Sequence, residues 1–508
     1  MTNTLYSAAQ VRELDRIAIE EHGIAGLTLM RRAAEACARQ IEIHWPQISK
    51  ITVFCGGGNN AGDGYIIAGI LSERGCQVQV IVVGDKASLG DDAAAALQYC
   101  EQSEAVLESG SAQPQGDMYV DALLGTGLSG EVQSKYVSAI QQINGGDKPV
   151  LSVDIPSGLC ADTGSILGIS VQANVTVTFI GRKRGLYTND GPDCSGEIVF
   201  DSLSVPENIA DKLDKHIDKS VVVMRPQALP ARRKNSHKTR NGHLLVVGGD
   251  SGMGGAVLMS GIAAFRCGAG IVSIATRQEN VAPFLARCPE LMTRKVDSSG
   301  DLKRMMAKAT AMVIGPGLGT LSWGKELLVA ALDSSIPLVI DADGLTLLAE
   351  MAVTNKGWIL TPHPGEALRL LEGRTKHTDG ESLSEIINCM QAGIQSDRFT
   401  SIELLQRNYD GVILLKGVGT LVSDGIDTSL CSYGNPGMAS AGMGDVLSGV
   451  IGGLIAQGLN GYHAATTGAC LHARAGDIAA EVDGERGLLA TDLIPLIRRL
   501  VNDKDQVW

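Results

Sequence analysis

Short apolar runs, each closed by a glycine-rich loop and followed by a helix-length segment, recur along the whole chain and constrain its fold more than any other feature. In the first half the runs are ITVFC (51–55), VQVIVV (78–83), MYVDALL (118–124), VLSVDI (150–155) and VTVTFI (175–180). Helical segments at 62–74, 91–102 and 133–143 lie between them. Continuous apolar strands separated by helices predict a parallel sheet covered on both faces. Ligands of such sheets bind beyond the carboxyl ends of the strands. Upstream, residues 7–45 read as helical, with Val11, Leu14, Ile17 and Ala18 at helical spacing.

The second half starts a fresh alternation. Its strands are expected at HLLVVGG (243–249), GIVSIAT (270–276), AMVIGPG (311–317), PLVIDAD (337–343), WILTPHP (358–364) and GVILLKG (411–417), with a long apolar helix over about 444–457. No repeat relates the halves, so the expected fold class is α/β with two different three-layer αβα domains. The rhythm breaks over about 202–240, and the domain boundary is placed near 214–222. The basic stretch RRKNSHKTRNGH reads as a solvated linker or a loop near an anionic ligand, in preference to a nucleic-acid site.

Composition narrows the function. Glycine supplies 62 of 508 residues without a G-X-Y period, which excludes collagen and points to turns and ligand-approaching loops. A net charge of -13 argues against a nucleic-acid partner, since phosphate neutralisation needs surplus Lys and Arg. The 11 cysteines contain no C-x-x-C pair, which fits a reducing, cytoplasmic setting better than a disulfide framework. The N-terminus is charged and amphipathic, unlike a signal peptide. No apolar run reaches the roughly 20 residues of a membrane span.

The loop after the first strand, CGGGNNAGDG, places Gly56, Gly58 and Ala61 as G-x-G-x-x-A, with Asp85 near the position of a ribose-binding acid. Asn59, Asn60 and Asp63 add amide and carboxylate groups that a plain dinucleotide loop lacks. Asp121 and Asp154 end two further strands, the first before GTGLSGE (125–131), the second before Pro156, Ser157 and Gly158. Together with Asn60 they offer oxygens suited to a hard, weakly hydrated cation.

NNAGDG, VDALLGTGL, SVDIPSGL and TFIGRKRGL resemble the YjeF N-terminal domain, the NAD(P)H-hydrate epimerases, over about residues 7–213. The resemblance implies a Rossmann-like fold. It also implies that Asn59, Asn60, Ala61, Gly62, Asp63 and the loop Gly125, Thr126, Gly127, Leu128, Ser129, Gly130, Glu131 line the hydrated dinucleotide site. Asn60, Asp121 and Ser157 would surround K+, and Asp154 would contact substrate. Lys183 falls where the family keeps a lysine, which makes Asp154 and Lys183 the expected proton-transfer pair. Epimerisation at C6 of the hydrated ring needs proton relays and no redox change. LMRRAAEA departs from the family's usual LMERAG at Arg31.

In the second half, NPGMASAGMGDVLSGVIGGLIAQG (435–458) sets glycines and Asp445 at the start of an apolar helix. Gly442 and Gly444 free backbone N–H groups at the positive helix end for a phosphoryl group. Asp445 is positioned to take a proton from an attacking hydroxyl. LLKGVGTLVSD carries Lys416 in a glycine turn between two strands, and LTPHPGE fixes His363 between prolines. No G-x-x-x-x-G-K-[ST] occurs, so P-loop kinase chemistry is not indicated.

GPGLG, DADGL, TPHPGE, KGVGT and the GMGD helix resemble the ribokinase-like superfamily. More narrowly they resemble the YjeF C-terminal domain, the ADP-dependent NAD(P)H-hydrate dehydratases, over about residues 221–505. The resemblance implies that Ala256, Gly317, His363 and Asp445 contact the hydrated dinucleotide. Lys416, Gly417, Val418, Gly419, Thr420 and Gly444 would contact the adenine nucleotide, with Mg2+ bridging its phosphates. Met443 replaces the commoner Ala or Thr. The joint expectation is an isomerase and lyase repairing hydrated NADH and NADPH with ADP as co-substrate, as a cytoplasmic homo-oligomer. A ribokinase-type vitamin-alcohol kinase fused to a Rossmann-like binding domain, a dinucleotide-sensing module and a dehydrogenase stay as alternatives.

Overall fold

The structure, a computed structural model, describes residues 3–213 and 220–503. The chain forms two compact units, Met1–Val221 and Val222–Trp508. Residues 214–219, within the expected boundary, lie outside the described residues, as does the C-terminal end of the second expected domain.

In the first unit β2 (Lys50–Cys55), β3 (Gln77–Val82), β4 (Val106–Ser109), β5 (Met118–Ala122), β6 (Val150–Val153), β7 (Val175–Phe179) and β9 (Glu197–Asp201) form one parallel sheet. Its order is β4-β3-β2-β5-β6-β7-β9. The first six of these strands follow the 3-2-1-4-5-6 order of dinucleotide-binding sheets. Alternate residues of one strand enter opposite cores. Val53 and Cys55 pack with α2 (Gly26–His44) and α3 (Asn59–Glu73), whereas Phe54 packs with Tyr136, Ala139 and Ile140 of the helix Ser134–Gly145. That two-sided burial makes the three layers.

Two further strands, β1 (Thr4–Tyr6) and β8 (Arg182–Lys183), pair in parallel with Tyr6 opposite Lys183. The expected helix over 7–45 is divided. Ser7 caps α1 (Ala8–Arg16) through a capping box with Gln10, a π-turn follows at 17–21, and the chain turns at Gly23 (φ +67°) before α2. The helical pattern was right on both sides, but a left-handed glycine ends the first helix.

In the second unit, after β10 (Val221–Val223), come β11 (His243–Val247), β12 (Ile271–Thr276), β13 (Met292–Lys295), β14 (Ala311–Ile314), β15 (Leu338–Ile340), β16 (Trp358–Leu360), β17 (Val412–Leu415), β18 (Thr420–Ser423) and β19 (Thr428–Cys431). They run β13-β12-β11-β14-β15-β16-β17-β18-β19, parallel up to β17 and antiparallel beyond. Leu244 and Val246 join the core beneath the helices Gly254–Cys267 and Met443–Ala456. Leu245 and Val247, facing the other way, are equally buried. Met443 belongs to that core. The basic 232–240 stretch is not a free linker. Arg232 donates to Gly268 O and Gln457 Oε1, tying it to the second unit. Among the described residues no helix is long and apolar enough to cross a membrane.

Candidate functional sites

The first unit's cavity, about 730 Å³, opens where the sheet order reverses, between the loops leaving β2 and β5. These loops touch. A Cβ on Gly56 would collide with Leu123 O, so only glycine fits. Asn59, Asn60 and Asp63 line the cavity, as do Gly125, Thr126, Gly127, Leu128 and Ser129. Ala61 and Gly62 do not. Ala61 is fully buried, and Gly62 packs against Met30. Gly130 and Glu131 also fall outside the lining. Asp85 turns its carboxylate to Ala87 N–H (2.9 Å), capping a short turn instead of facing the cavity.

Asp154 follows β6 in the left-handed region (φ +68°). Its Oδ1 pairs with Lys183 Nζ and accepts from Phe179 N–H (3.1 Å). Lys183 is 1% exposed, and its ammonium also donates to Thr178 Oγ1 and Phe179 O, both at 3.1 Å. Thus both members of the expected proton pair reach the cavity, with the lysine wholly enclosed.

Asp121 is buried beneath the loop. It accepts from Ser152 Oγ (2.8 Å), Ser157 N–H (2.8 Å), Ser157 Oγ (2.6 Å) and Leu123 N–H (3.3 Å). Burial pushes its carboxyl up, and these donors oppose the rise. Leu124 N–H donates to Ser157 Oγ (2.8 Å), which joins this network to the loop before Gly125. Asn60, against Gly125, is buried, and its Nδ2 has no hydrogen-bond partner. Asp121, Ser157 and the Asn60 amide supply neutral and anionic oxygens of the kind K+ accepts. Among the described residues no cluster of three His, Cys, Asp or Glu is arranged to hold a metal.

Sequence reasoning missed Asp15 of α1, which lines the same cavity. Burial raises its carboxyl to about 6, with Lys183 opposing and Asp154 adding. Asp63 is pushed well up by burial, then by Asp154 and Asp15. The only signal for Asp15 was its place on an amphipathic helix, which does not distinguish a cavity acid from a surface one.

The second unit's site gathers around the start of the helix Met443–Ala456. Gly442 caps it in the left-handed conformation (φ +88°), where a Cβ would lie 2.6 Å from Met259 Cε. Asp445 stands in the first turn. Burial, then Asp341, raise its carboxyl to about 7, against the pull of Lys416. Lys416 Nζ pairs with Asp341 Oδ1 at 2.8 Å and lies 3.7 Å from Glu366 Oε2. Burial pulls the ammonium down, yet Asp341, Glu366 and Asp445 together hold it above its usual value. A Cβ on Gly444 would come within 3.2 Å of Lys416 Nζ, so the lysine reaches the helix start.

His363 caps the helix Pro364–Arg374. Its Nδ1 accepts from Gly365 N–H (3.0 Å) and Glu366 N–H (3.3 Å), while Glu366 Oε2 accepts from His363 N–H (2.8 Å). Burial lowers its pKa. The neutral ring with Nδ1 accepting carries its proton on Nε2, which lies 3.5 Å from Glu366 Oε1. Ala256 lies in the first turn of the helix Gly254–Cys267, and Gly317 approaches Met253 O at the neighbouring strand exit. Gly417 and Gly419 keep the β17–β18 turn close, Thr420 Oγ1 closes it on Gly417 O (3.0 Å), and Val418 is exposed.

Two contributors escaped sequence reasoning. Asp341, 75 residues from Lys416, neutralises it. Fully buried Arg398 straps the turn, donating to Leu415 O (3.2 Å), Lys416 O (3.3 Å) and Gly419 O (3.4 Å). DADGL marked Asp341 as part of a motif but gave it no partner.

A family model described as NAD(P)H-hydrate dehydratase matches residues 244–499, and one described as YjeF-related protein N-terminus matches residues 26–185. The bifunctional NAD(P)H-hydrate repair enzyme Nnr of Coxiella burnetii is 47% identical over 504 residues, covering 98% of this chain and 99% of its own. Its Escherichia coli namesake is 39% identical, with 98% and 94% covered. Among solved structures, an ADP/ATP-dependent NAD(P)H-hydrate dehydratase from Bacillus subtilis, co-crystallized with ATP/Mg2+, is 26% identical at a TM-score of 0.46, covering 54% of this chain and 93% of its own.

Proposed function

Because the chain belongs to the family of bifunctional NAD(P)H-hydrate repair enzymes, we propose that its two units act in turn on hydrated NADH and NADPH. The first interconverts the R and S epimers at C6, and the second dehydrates the S epimer at the expense of ADP. The observation that carries this reading is the near full-length match to relatives of that name, spanning both acidic sites.

In the second unit Asp445 takes the proton of the C6 hydroxyl, and the oxygen attacks the β-phosphate of ADP. AMP leaves, and elimination of phosphate then regenerates NAD(P)H. A carboxyl raised to about 7 is a base that is partly ionised at neutral pH and strong enough for the task. Ala256, Gly317 and His363 would contact the hydrated dinucleotide. Lys416 through Thr420, with Gly444, would hold the adenine nucleotide, whose accompanying Mg2+ would neutralise phosphate charge. In the first unit Asn59 to Asp63 and Gly125 to Glu131 would border the substrate. Asp154 would contact it, with Lys183 as its charge partner in proton transfer. Asn60, Asp121 and Ser157 would hold K+, which supplies positive charge beside the dinucleotide. A cytoplasmic homo-oligomer with no nucleic-acid or membrane partner completes the proposal.

Incubation with mixed R and S NADH hydrates tests the reading, with both epimers followed by chromatography and ADP compared with ATP. Recovery of 340 nm absorbance from both epimers with ADP is expected, with AMP and phosphate as products. A stable phosphorylated product would instead favour the vitamin-kinase alternative. Asp154→Ala should leave S dehydrating while R accumulates; equal loss of both epimers would argue against separate domain roles.

A further inference from the structure

Lys183 has three N–H bonds and three acceptors, in Asp154 Oδ1, Thr178 Oγ1 and Phe179 O. Its ammonium therefore fixes Asp154 and has no donor left for a ligand. Asp154 spends Oδ1 on Lys183 and on Phe179 N–H, which leaves Oδ2 as its open atom. The motif-derived pair thus offers one proton position. Epimerisation needs two, one group to receive a proton and one to give it.

Two other carboxylates line the same cavity, Asp15 and Asp63. Neither has a hydrogen-bond or ion-pair partner among the described residues, although both are half-buried. The architecture explains how Asp15 arrives there. β1 pairs with β8 so that Tyr6 stands opposite Lys183, and α1 starts two residues later. Two turns of α1 then carry Asp15 over the Asp154–Lys183 pair, with Asp63 reaching in from α3. The other charged groups facing this cavity are Arg12, Asp92 and Lys135, and the buried Cys37 thiol feels the Asp63 charge. The buried, unpartnered Asn60 amide, also in the lining, marks the space as one built for a polar ligand. Asp15 precedes the family-matched segment 26–185, so no motif assigns it.

We propose that Asp15 exchanges a proton with the substrate in the epimerase cavity, with Asp63 as the complementary acid. The proposal rests on the epimerase reading of the first unit. The balance is simple. Asp15 carboxylate takes the C6 hydroxyl proton as C6=O forms and the C6–N1 bond breaks, while the Asp63 carboxyl gives N1 a proton. Rotation and reclosure on the opposite face of C6 return both protons, with no oxidant or reductant. The raised affinities agree with the roles: burial favours the protonated form of Asp63, and Asp15 at about 6 is mostly ionised at neutral pH.

The test uses the full chain without ADP, so that dehydration is silent, and follows R and S NADH hydrates by chromatography. Asp15→Asn should lower kcat for epimerisation by about 100-fold or more, with KM changed only a few-fold. The wild-type rate should fall as pH drops through about 6, where the Asp15 carboxylate is protonated, and the variant's residual rate should lack that limb. Asp15→Glu should restore part of kcat, and ADP-dependent dehydration of the S epimer should stay at the wild-type rate in both variants. An Asp15→Asn enzyme that epimerises within threefold of the wild type, or that keeps the same acid limb, overturns the proposal. If Asp15→Asn fails to fold, a wild-type profile flat between pH 5 and 7 overturns it equally. A wild-type protein that does not epimerise at all overturns the epimerase reading itself and the role of Asp15 with it.

Discussion

Replacing Asp445 with Asn should abolish dehydration and at the same time stabilise the second unit. Burial and the neighbouring Asp341 raise this carboxyl from its ordinary 3.8 to about 7. At about 1.4 kcal/mol per tenfold change in proton affinity, keeping it ionised costs on the order of 4 kcal/mol. The sign follows from linkage. The folded state holds this proton more tightly than the unfolded chain, so stability falls as pH rises between 3.8 and about 7, and the whole cost is present above that. Asn keeps the shape and removes the charge. In calorimetric scans of the full chain, one transition should rise by roughly 8–16 °C in the variant at pH 8, at about 2–4 °C per kcal/mol. At pH 5 the gain should be less than half as large, because most of the wild-type carboxyl is then protonated. Dehydration of S-NADH hydrate by the wild type should climb with pH through about 7, and the variant should lack it. A variant no more stable than the wild type at pH 8, or equally stabilised at pH 5 and 8, would refute the reasoning, because burial of the charge would then not be what perturbs Asp445.

Three other outcomes are expected. Lys183→Met leaves the Asp154 carboxylate without its ion pair but with the Phe179 N–H donor, so the first unit should lose up to roughly 3 kcal/mol by denaturant titration and R/S interconversion should cease, while dehydration of S persists. Arg398→Ala leaves the carbonyls of Leu415, Lys416 and Gly419 without their donor; the second unit should lose about 3 kcal/mol, and KM for ADP should rise at least tenfold in steady-state assays. Replacing K+ by Na+ should slow epimerisation by the wild type, whereas Asn60→Leu should be slow in both salts; a wild type indifferent to the cation would remove K+ from the site.

Much of the fold could be read from residue order. The continuous apolar runs became the central strands, because a strand buried on both faces must be apolar at every position. The strands that went unread are chiefly at sheet margins. β4 (VLES), β9 (EIVFD) and β13 (MTRK) lie at sheet ends. There one side faces water and polar residues interrupt the pattern. β19 (TSLC), at the antiparallel end, is too short to show one. The division of residues 7–45 was also hidden, since the π-turn at 17–21 and the left-handed Gly23 that separate the two helices leave no mark on the apolar spacing.

For the sites, the sequence by itself determined where glycine and acid stand together in loops at strand exits and helix starts, a local pattern suited to approaching a ligand with backbone. It pointed to Asp154 at the end of a strand and to Asp445 at the start of a helix. Only the tertiary structure decided what surrounds them. Lys416 meets Asp341 across 75 residues, Arg398 straps a turn it does not adjoin, and Asp15 crosses from the first helix to a cavity built by later loops. The reason is physical. A charge's partner, and the loss of water that shifts its proton affinity, depend on distances through space, which neighbours along the chain do not fix.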